Sequence, residues 1–396
     1  MARTTPPLQV NVFIDALGWK LQQGAPFLTD LLPTRRPLAT VFGYSSTCDP
    51  TILTGRPPRE HGHFAFYRYD PSASPFPAGL CRALGVLPPA LADRGRVRSL
   101  LSRWFARHKG FTGYFQLYSV PFCRLPSLDY SERRDLYERG GIRGGQETLL
   151  DRLRDADVPC HVSNWRHGDP ENVAAARVAL EQGTARFFYV YLAGLDALLH
   201  RHGTAAPEPR RHIRWLESAL RDLLAVARAK DPSAVLRVFS DHGMTDVTDH
   251  CDLQERIART GLRWGKDYAA VYDSTMARFW FLRDGAKERV EEALRAEPRG
   301  RVLSESDLAG FGCDFPGRTY GETFFLLNPG VLLLPSDLGR RPLRGMHEYA
   351  PEHHDSVAFY GCSETETHSP VGLADLHDVL LAPYGLARLR ESRRTA

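Results

Sequence analysis

The sequence predicts an α/β sandwich with a mostly parallel central sheet and a small inserted cap. Three observations carry the prediction. Apolar residues run almost unbroken through 10–14, Phe187–Leu192 and Val235–Phe239, the pattern of strands buried on both faces. Ile213, Leu216, Leu220, Leu223 and Leu224 recur at helical spacing between the second and third of these runs, so strand, helix and strand follow one another as in a parallel sheet. Each run also leads into a carboxylate, Asp15, Asp196 and Asp241 in turn, and open sheets of this kind place their sites at the carboxyl ends of strands.

In chain order, residues 8–273 and 336–387 are expected to form the core. Within it, 64–135 is an aromatic, Arg- and Pro-rich excursion over the sheet edge. Phe64, Phe66, Tyr67 and Tyr69 alternate there as in a strand. Trp104, Phe105, Arg107, His108, Lys109, Phe111 and Tyr114 form a denser group, able to stack a base and pair a phosphate or else to pack as a lid. Residues 274–335 hold a strand at 277–282, a helix at 286–296 and a strand at Thr323–Leu327, and are expected to be the inserted cap. The charged tail, 388–396, is expected to fray.

Composition narrows the function. The net charge of +4 over 396 residues is too small and dispersed to argue for a nucleic acid polymer or a membrane surface as partner. No apolar run approaches the ~18 residues of a membrane span. The seven cysteines are odd in number, scattered and without a C-x-x-C pair, which fits reduced thiols rather than a disulfide framework. A short apolar stretch after Met1 lacks the features of a secretion signal. A cytoplasmic protein with a small-molecule partner is the expectation.

The chemistry lies in short polar clusters. Asp15 ends a strand. Asp196 and His200 stand four apart, on one face of a helical turn. Asp241 and His242 are adjacent at a strand end and precede Gly243, and His347 lies in Gly345-Met346-His347-Glu348-Tyr349. Taken singly, each has an ordinary structural explanation, such as a helix cap or a surface pair. Together, three Asp and three His suit two divalent ions with mixed nitrogen and oxygen donors.

A further motif joins them. The segment from Gly43 to Gly62 ends Leu53-Thr54-Gly55-x-x-Pro58-x-x-His61-Gly62. This resembles the stretch after the nucleophile in the alkaline phosphatase superfamily, closest to the nucleotide pyrophosphatase/phosphodiesterase and phosphonoacetate hydrolase-like branch. In that superfamily the nucleophile lies ten residues before this glycine, and counting back from Gly55 reaches Ser45. The other clusters fall in the family's order along the chain. The resemblance therefore implies an alkaline-phosphatase-like α/β/α sandwich. It implies one ion held by Asp15, Asp241, His242 and the Ser45 oxygen, and a second held by Asp196, His200 and His347. The mix of donors suits Zn²⁺, with Mn²⁺ as the alternative. Direct ligation of a serine hydroxyl would ionise it without a separate base, leading to a phospho-Ser45 intermediate in the cleavage of a small nucleotide-like or phosphonate-containing phosphodiester or pyrophosphate.

The chain departs from that pattern in two places. Nucleotide pyrophosphatases carry an Asn three residues after the nucleophile to bind the phosphoryl oxygen, and Cys48 stands there, which leaves Thr47 or Asp49 as substitutes. Sulfatases require C/S-x-P-x-R, and Thr47 and Asp49 occupy its Pro and Arg positions, against a sulfatase. A phosphomonoesterase or phosphotransferase using the same site is the alternative reaction. A catalytically inactive binding protein is the alternative of another class, opposed by the complete ligand set. Ser46 is expected to face away from the site and Thr47 to cap the following helix.

Overall fold

The computed structural model describes residues 6–24, 26–88 and 94–388; apart from Arg388, the expected tail lies outside them. Six strands form the central sheet, in the order Thr34–Leu38, Ala358–Cys362, Val235–Phe239, Gln9–Ile14, Phe187–Leu192, Cys160–Val162. The four from Val235–Phe239 to Cys160–Val162 pair in parallel, while Ala358–Cys362 runs antiparallel to both its neighbours. The sheet is thus mostly parallel, as the apolar runs require.

Alternation along the strands sends side chains into two apolar layers. Val10, Val12 and Ile14 join Phe188, Val190 and Val238 on one face. There they pack against Ala176 and Leu180 of the Asp169–Gln182 helix and against Ile213, Leu216 and Leu220 of the Pro207–Lys230 helix. Phe13, Tyr189 and Phe239 point to the other face and meet Ile52 and Leu53 of the Ser45–Thr54 helix and Leu376 and Leu380 of the Leu373–Leu381 helix. Each cluster removes its apolar surface from water at roughly 25 cal/mol per Å². The helix bearing Ser45 is therefore seated directly on the sheet.

A second sheet is antiparallel throughout, in the order Tyr268–Tyr272, Met276–Phe281, Thr323–Leu327, Gly300–Val302. The Ala286–Arg295 helix covers it through Val290 and Leu294. Its first strand begins at Tyr268, ahead of the boundary expected at 274. The 64–135 excursion packs against this second sheet: Tyr67, Phe105 and Tyr130 share a cluster with Ala269, Val271 and Trp280. The alternation from Phe64 to Tyr69 yields strand only at Tyr67–Tyr69, paired antiparallel with Leu128–Tyr130. Phe64 instead is buried beside Phe42 and Tyr320, so packing overrides the local pattern.

Candidate active site

Five chain segments converge at the carboxyl edge of the central sheet. Asp15 follows Gln9–Ile14, and Asp241 and His242 follow Val235–Phe239. Asp196 and His200 lie on the Gly194–His202 helix, which follows Phe187–Leu192. His347 comes from the loop after Gly345–Met346. The fifth segment is the Ser45–Thr54 helix, which begins at Ser45 itself after an extended Tyr44 that provides no side-chain cap.

The strand ends are locked backbone to backbone. A Cβ on Gly18 would lie 2.5 Å from the Gly243 Cα, and one on Gly243 would overlap the Asp355 carbonyl oxygen. Gly243→Ala should therefore displace Asp241 and His242, lowering stability by about 1–3 kcal/mol and turnover by about 100-fold. Thermal unfolding and kcat measured on one preparation check both effects.

Two of the three histidines share one design. His242 Nδ1 lies 2.9 Å from the Gly243 carbonyl and His200 Nδ1 lies 2.8 Å from the Gly345 carbonyl, so each donates there. His347 Nδ1 stands 3.2 Å from Glu348 Oε1 but makes no hydrogen bond among the described residues. All three Nε2 atoms face inward. His242 Nε2 is 3.1 Å from Ser45 Oγ, 3.0 Å from Asp241 Oδ2 and 3.5 Å from Asp15 Oδ1. His200 Nε2 and His347 Nε2 are 3.2 Å apart and stand 3.3 and 3.6 Å from Asp196 Oδ1. Bonds of about 2.0–2.1 Å in a tetrahedron separate neighbouring donor atoms by roughly 3.3–3.4 Å, and both groups have that spacing.

The carboxylates fit a cation by the same test. Asp15 Oδ2 accepts from the Tyr191 hydroxyl at 2.7 Å, and Asp241 Oδ1 accepts from the Ala16 and His242 amides at 3.2 and 3.0 Å. Their other oxygens, Asp15 Oδ1 and Asp241 Oδ2, are buried without a hydrogen bond among the described residues, as is Asp196 Oδ1. Burial, then repulsion from Asp241 and Asp196, drives the Asp15 carboxyl well above its usual range. Burial disfavours a charged His242, but the Asp241, Asp15 and Asp196 carboxylates outweigh it and lift its pKa to about 10. Three unpaired buried acid oxygens beside inward-facing imidazoles form a donor set that a divalent cation would neutralise. Two groups, Asp15/Asp241/His242 and Asp196/His242/His347, each bring their donor atoms within 4.8 Å of one another.

A cavity of about 760 Å³ opens over Ser45, lined by Asp15, Asp196, His200 and His347 on one side and by aromatic residues on the other. Three expectations need correction here. Thr47 is fully buried and its hydroxyl donates to the Phe64 carbonyl at 2.6 Å, so it neither caps the helix nor meets a substrate. Ser46 lines the cavity instead of facing away, although its hydroxyl is buried without a partner among the described residues. Of the 104–114 group only Tyr114 reaches the cavity; Trp104 stacks on His108 of its own helix, their ring centres 5.2 Å apart. Asp49 does line the cavity and accepts from the Tyr189 hydroxyl at 3.2 Å. The sequence reading missed Tyr191, Glu348, Glu132 and the rings of Phe66, Tyr118 and Trp165. Tyr191 was legible, since it shares a sheet face with Phe13; Glu132 carried no signal.

Residues 10–309 match the family model described as type I phosphodiesterase / nucleotide pyrophosphatase. The chain belongs to that family. Phosphate-ester hydrolysis is accordingly the reaction class of this phosphodiesterase-family protein, an alkaline phosphatase superfamily member. Among solved structures it is similar to murine ectonucleotide pyrophosphatase/phosphodiesterase 5, in an inactive threonine-to-alanine variant bound to AMP, with TM-score 0.68 and 14% identity over 97% of this chain and 96% of that one. The human counterpart matches with TM-score 0.68 and 14% identity over 96% of each chain. These similarities establish the α/β fold. No curated protein sequence matches the phosphodiesterase-family chain.

Proposed function

We propose that the protein is a two-metal-dependent phosphodiesterase with Ser45 as nucleophile. The observation that carries this reading is the set of unpartnered buried oxygens on Asp15, Asp196 and Asp241, which face the inward Nε2 atoms of three histidines. Asp15, Asp241, His242 and Ser45 would hold one ion; Asp196, His200 and His347 would hold the other, with Zn²⁺ the best match to the donors. When bound, the two ions would ionise the serine hydroxyl and balance charge on the attacking and leaving oxygens.

The chain's own residues do the rest. Ser45 Oγ attacks phosphorus, forming the Ser–O–P bond as the ester P–O bond breaks, and the departing alkoxide takes a proton from water. The Ser45 and Ser46 amides, at the helix start and without intrahelical partners, face the phosphoryl oxygens. Attack of water on the phospho-serine then returns Ser45 and releases the phosphate monoester.

A diester is favoured over a monoester by the cavity wall. Among the described residues Arg166 is the only Lys or Arg that lines the cavity; its guanidinium lies 4.0 Å over Trp165 and 3.8 Å from Asp135. Thus no free cation among the described residues is presented to the extra charge of a terminal phosphate. The AMP bound by the murine neighbour supports a small phosphate ester as substrate. A cytoplasmic setting belongs to the same proposal and rests on the scattered cysteines. With metal-loaded protein, bis-p-nitrophenyl phosphate should exceed p-nitrophenyl phosphate in kcat/KM by at least about tenfold, corresponding to ~1.4 kcal/mol. The reverse order would make the protein a monoesterase.

A further inference from the structure

The cavity has a second chemical character that phosphoryl transfer does not use. Its wall opposite the histidines is aromatic. The Phe66 ring centre lies 5.5 Å from those of both Tyr114 and Tyr118, and Tyr114 lies 5.9 Å from Trp165. Three carboxylates are set into this wall, Asp49, Glu132 and Asp135. Asp135 is satisfied: it accepts from the Tyr137 amide at 3.0 Å and from the Trp165 indole at 2.9 Å. Among the described residues Asp49 accepts from two phenol hydroxyls, those of Tyr189 and Tyr137. Glu132 is 6% exposed and borders the cavity, with no hydrogen bond or ion pair among the described residues.

A buried carboxylate without a partner is costly to keep. Burial, reinforced by Asp49 and Asp135, lifts the Glu132 carboxyl to about 8, and burial lifts Asp49 to about 7. Arg166, turned toward Trp165 and Asp135, does not relieve either of them. Asp49 stands one helical turn beyond Ser45, so its side chain lies on the same helix face roughly 6 Å from the nucleophile. The natural partner of a carboxylate there is a cation carried by the substrate.

We propose that this wall binds a protonated amine on the substrate's organic group, so that the preferred substrate is a phosphodiester of a short amino alcohol. Glu132 and Asp49 accept the ammonium N–H groups in charge-assisted hydrogen bonds. The faces of Phe66, Tyr114 and Tyr118 supply the apolar, electron-rich surround that suits a cation. The inference rests on the phosphodiesterase reading and names the substrate class for that site.

The test compares kcat/KM for three p-nitrophenyl diesters on the metal-loaded full chain at neutral pH: the 2-aminoethyl, 2-hydroxyethyl and thymidine esters. The aminoethyl ester should exceed the hydroxyethyl ester by at least about 30-fold. Glu132→Gln, which keeps the shape and removes the charge, should cut that ratio at least about tenfold, and Asp49→Asn should cut it too. Equal rates for the two small esters, or a thymidine ester favoured over both, would overturn the proposal in favour of a neutral or base-stacking group. A wild-type preference untouched by both variants would overturn the assignment to this wall. Failure to release p-nitrophenolate from any ester would instead sink the phosphodiesterase reading on which the proposal stands.

Discussion

Ser45→Ala is expected to lose about four orders of magnitude or more in kcat while keeping its fold and its metal content near normal. The three consecutive hydroxyls at the helix start are not equivalent. Ser45 Oγ is the one beside a ligand-type nitrogen, 3.1 Å from His242 Nε2. Ser46 Oγ is buried without a partner among the described residues, and Ser46→Ala should stay within about tenfold of the parent, the effect of a cavity-wall change. The Thr47 hydroxyl is committed to the Phe64 carbonyl, so Thr47→Ala should cost about 1 kcal/mol of stability and little turnover. Acid quench of a turning-over sample followed by peptide mass analysis should find the phosphoryl group on Ser45. A phosphopeptide carrying it on Ser46, or an active Ser45→Ala, would break the register of the whole motif.

Metal removal should have an effect of similar size. Dialysis against a chelator is expected to take turnover to background, with Zn²⁺ restoring it and elemental analysis of the restored protein giving two ions per chain. Stability should fall with the metal, because binding to the folded state alone contributes about 4 kcal/mol when the free ion stands at a thousand times its Kd. Asp241→Asn separates the two positions. It weakens one donor group and leaves Asp196, His200 and His347 intact, so this variant should retain one ion rather than two. Retention of both would remove Asp241 from the ligand set.

Much of this arrangement was legible because it depends on short-range pattern. Nearly unbroken apolar runs specified the strands at Phe187–Leu192 and Val235–Phe239 to the residue; the one charged residue in them, Arg237, is buried in an ion pair with Glu366. The neighbourhood of Asp15, Asp196 and Asp241 was also foreseeable, because strand ends of one parallel sheet lie side by side; Ser45, His200, His242 and His347 joined them as what the family resemblance implies. What escaped was set by tertiary packing. Phe64 left the strand pattern to fill a hole against Phe42 and Tyr320. Thr47 found the Phe64 carbonyl in place of a cap. Glu132 reaches the cavity only because the 64–135 excursion folds against the second sheet, a contact with no local trace in the sequence.

Glu348 offers a different lesson. It adopts φ 71°, where a residue with a side chain pays about 1–3 kcal/mol that glycine would not. Its carboxylate is 5% exposed, and neither oxygen finds a hydrogen bond among the described residues. The chain tolerates both burdens at the residue whose carboxylate stands behind His347. Durability and performance therefore pull in opposite directions at this position. A library screened only for survival on heating would enrich glycine there, and its winners would be sturdier proteins with a poorly organised His347. Engineering toward robustness should hold Glu348 fixed and seek its gains on the outer helices.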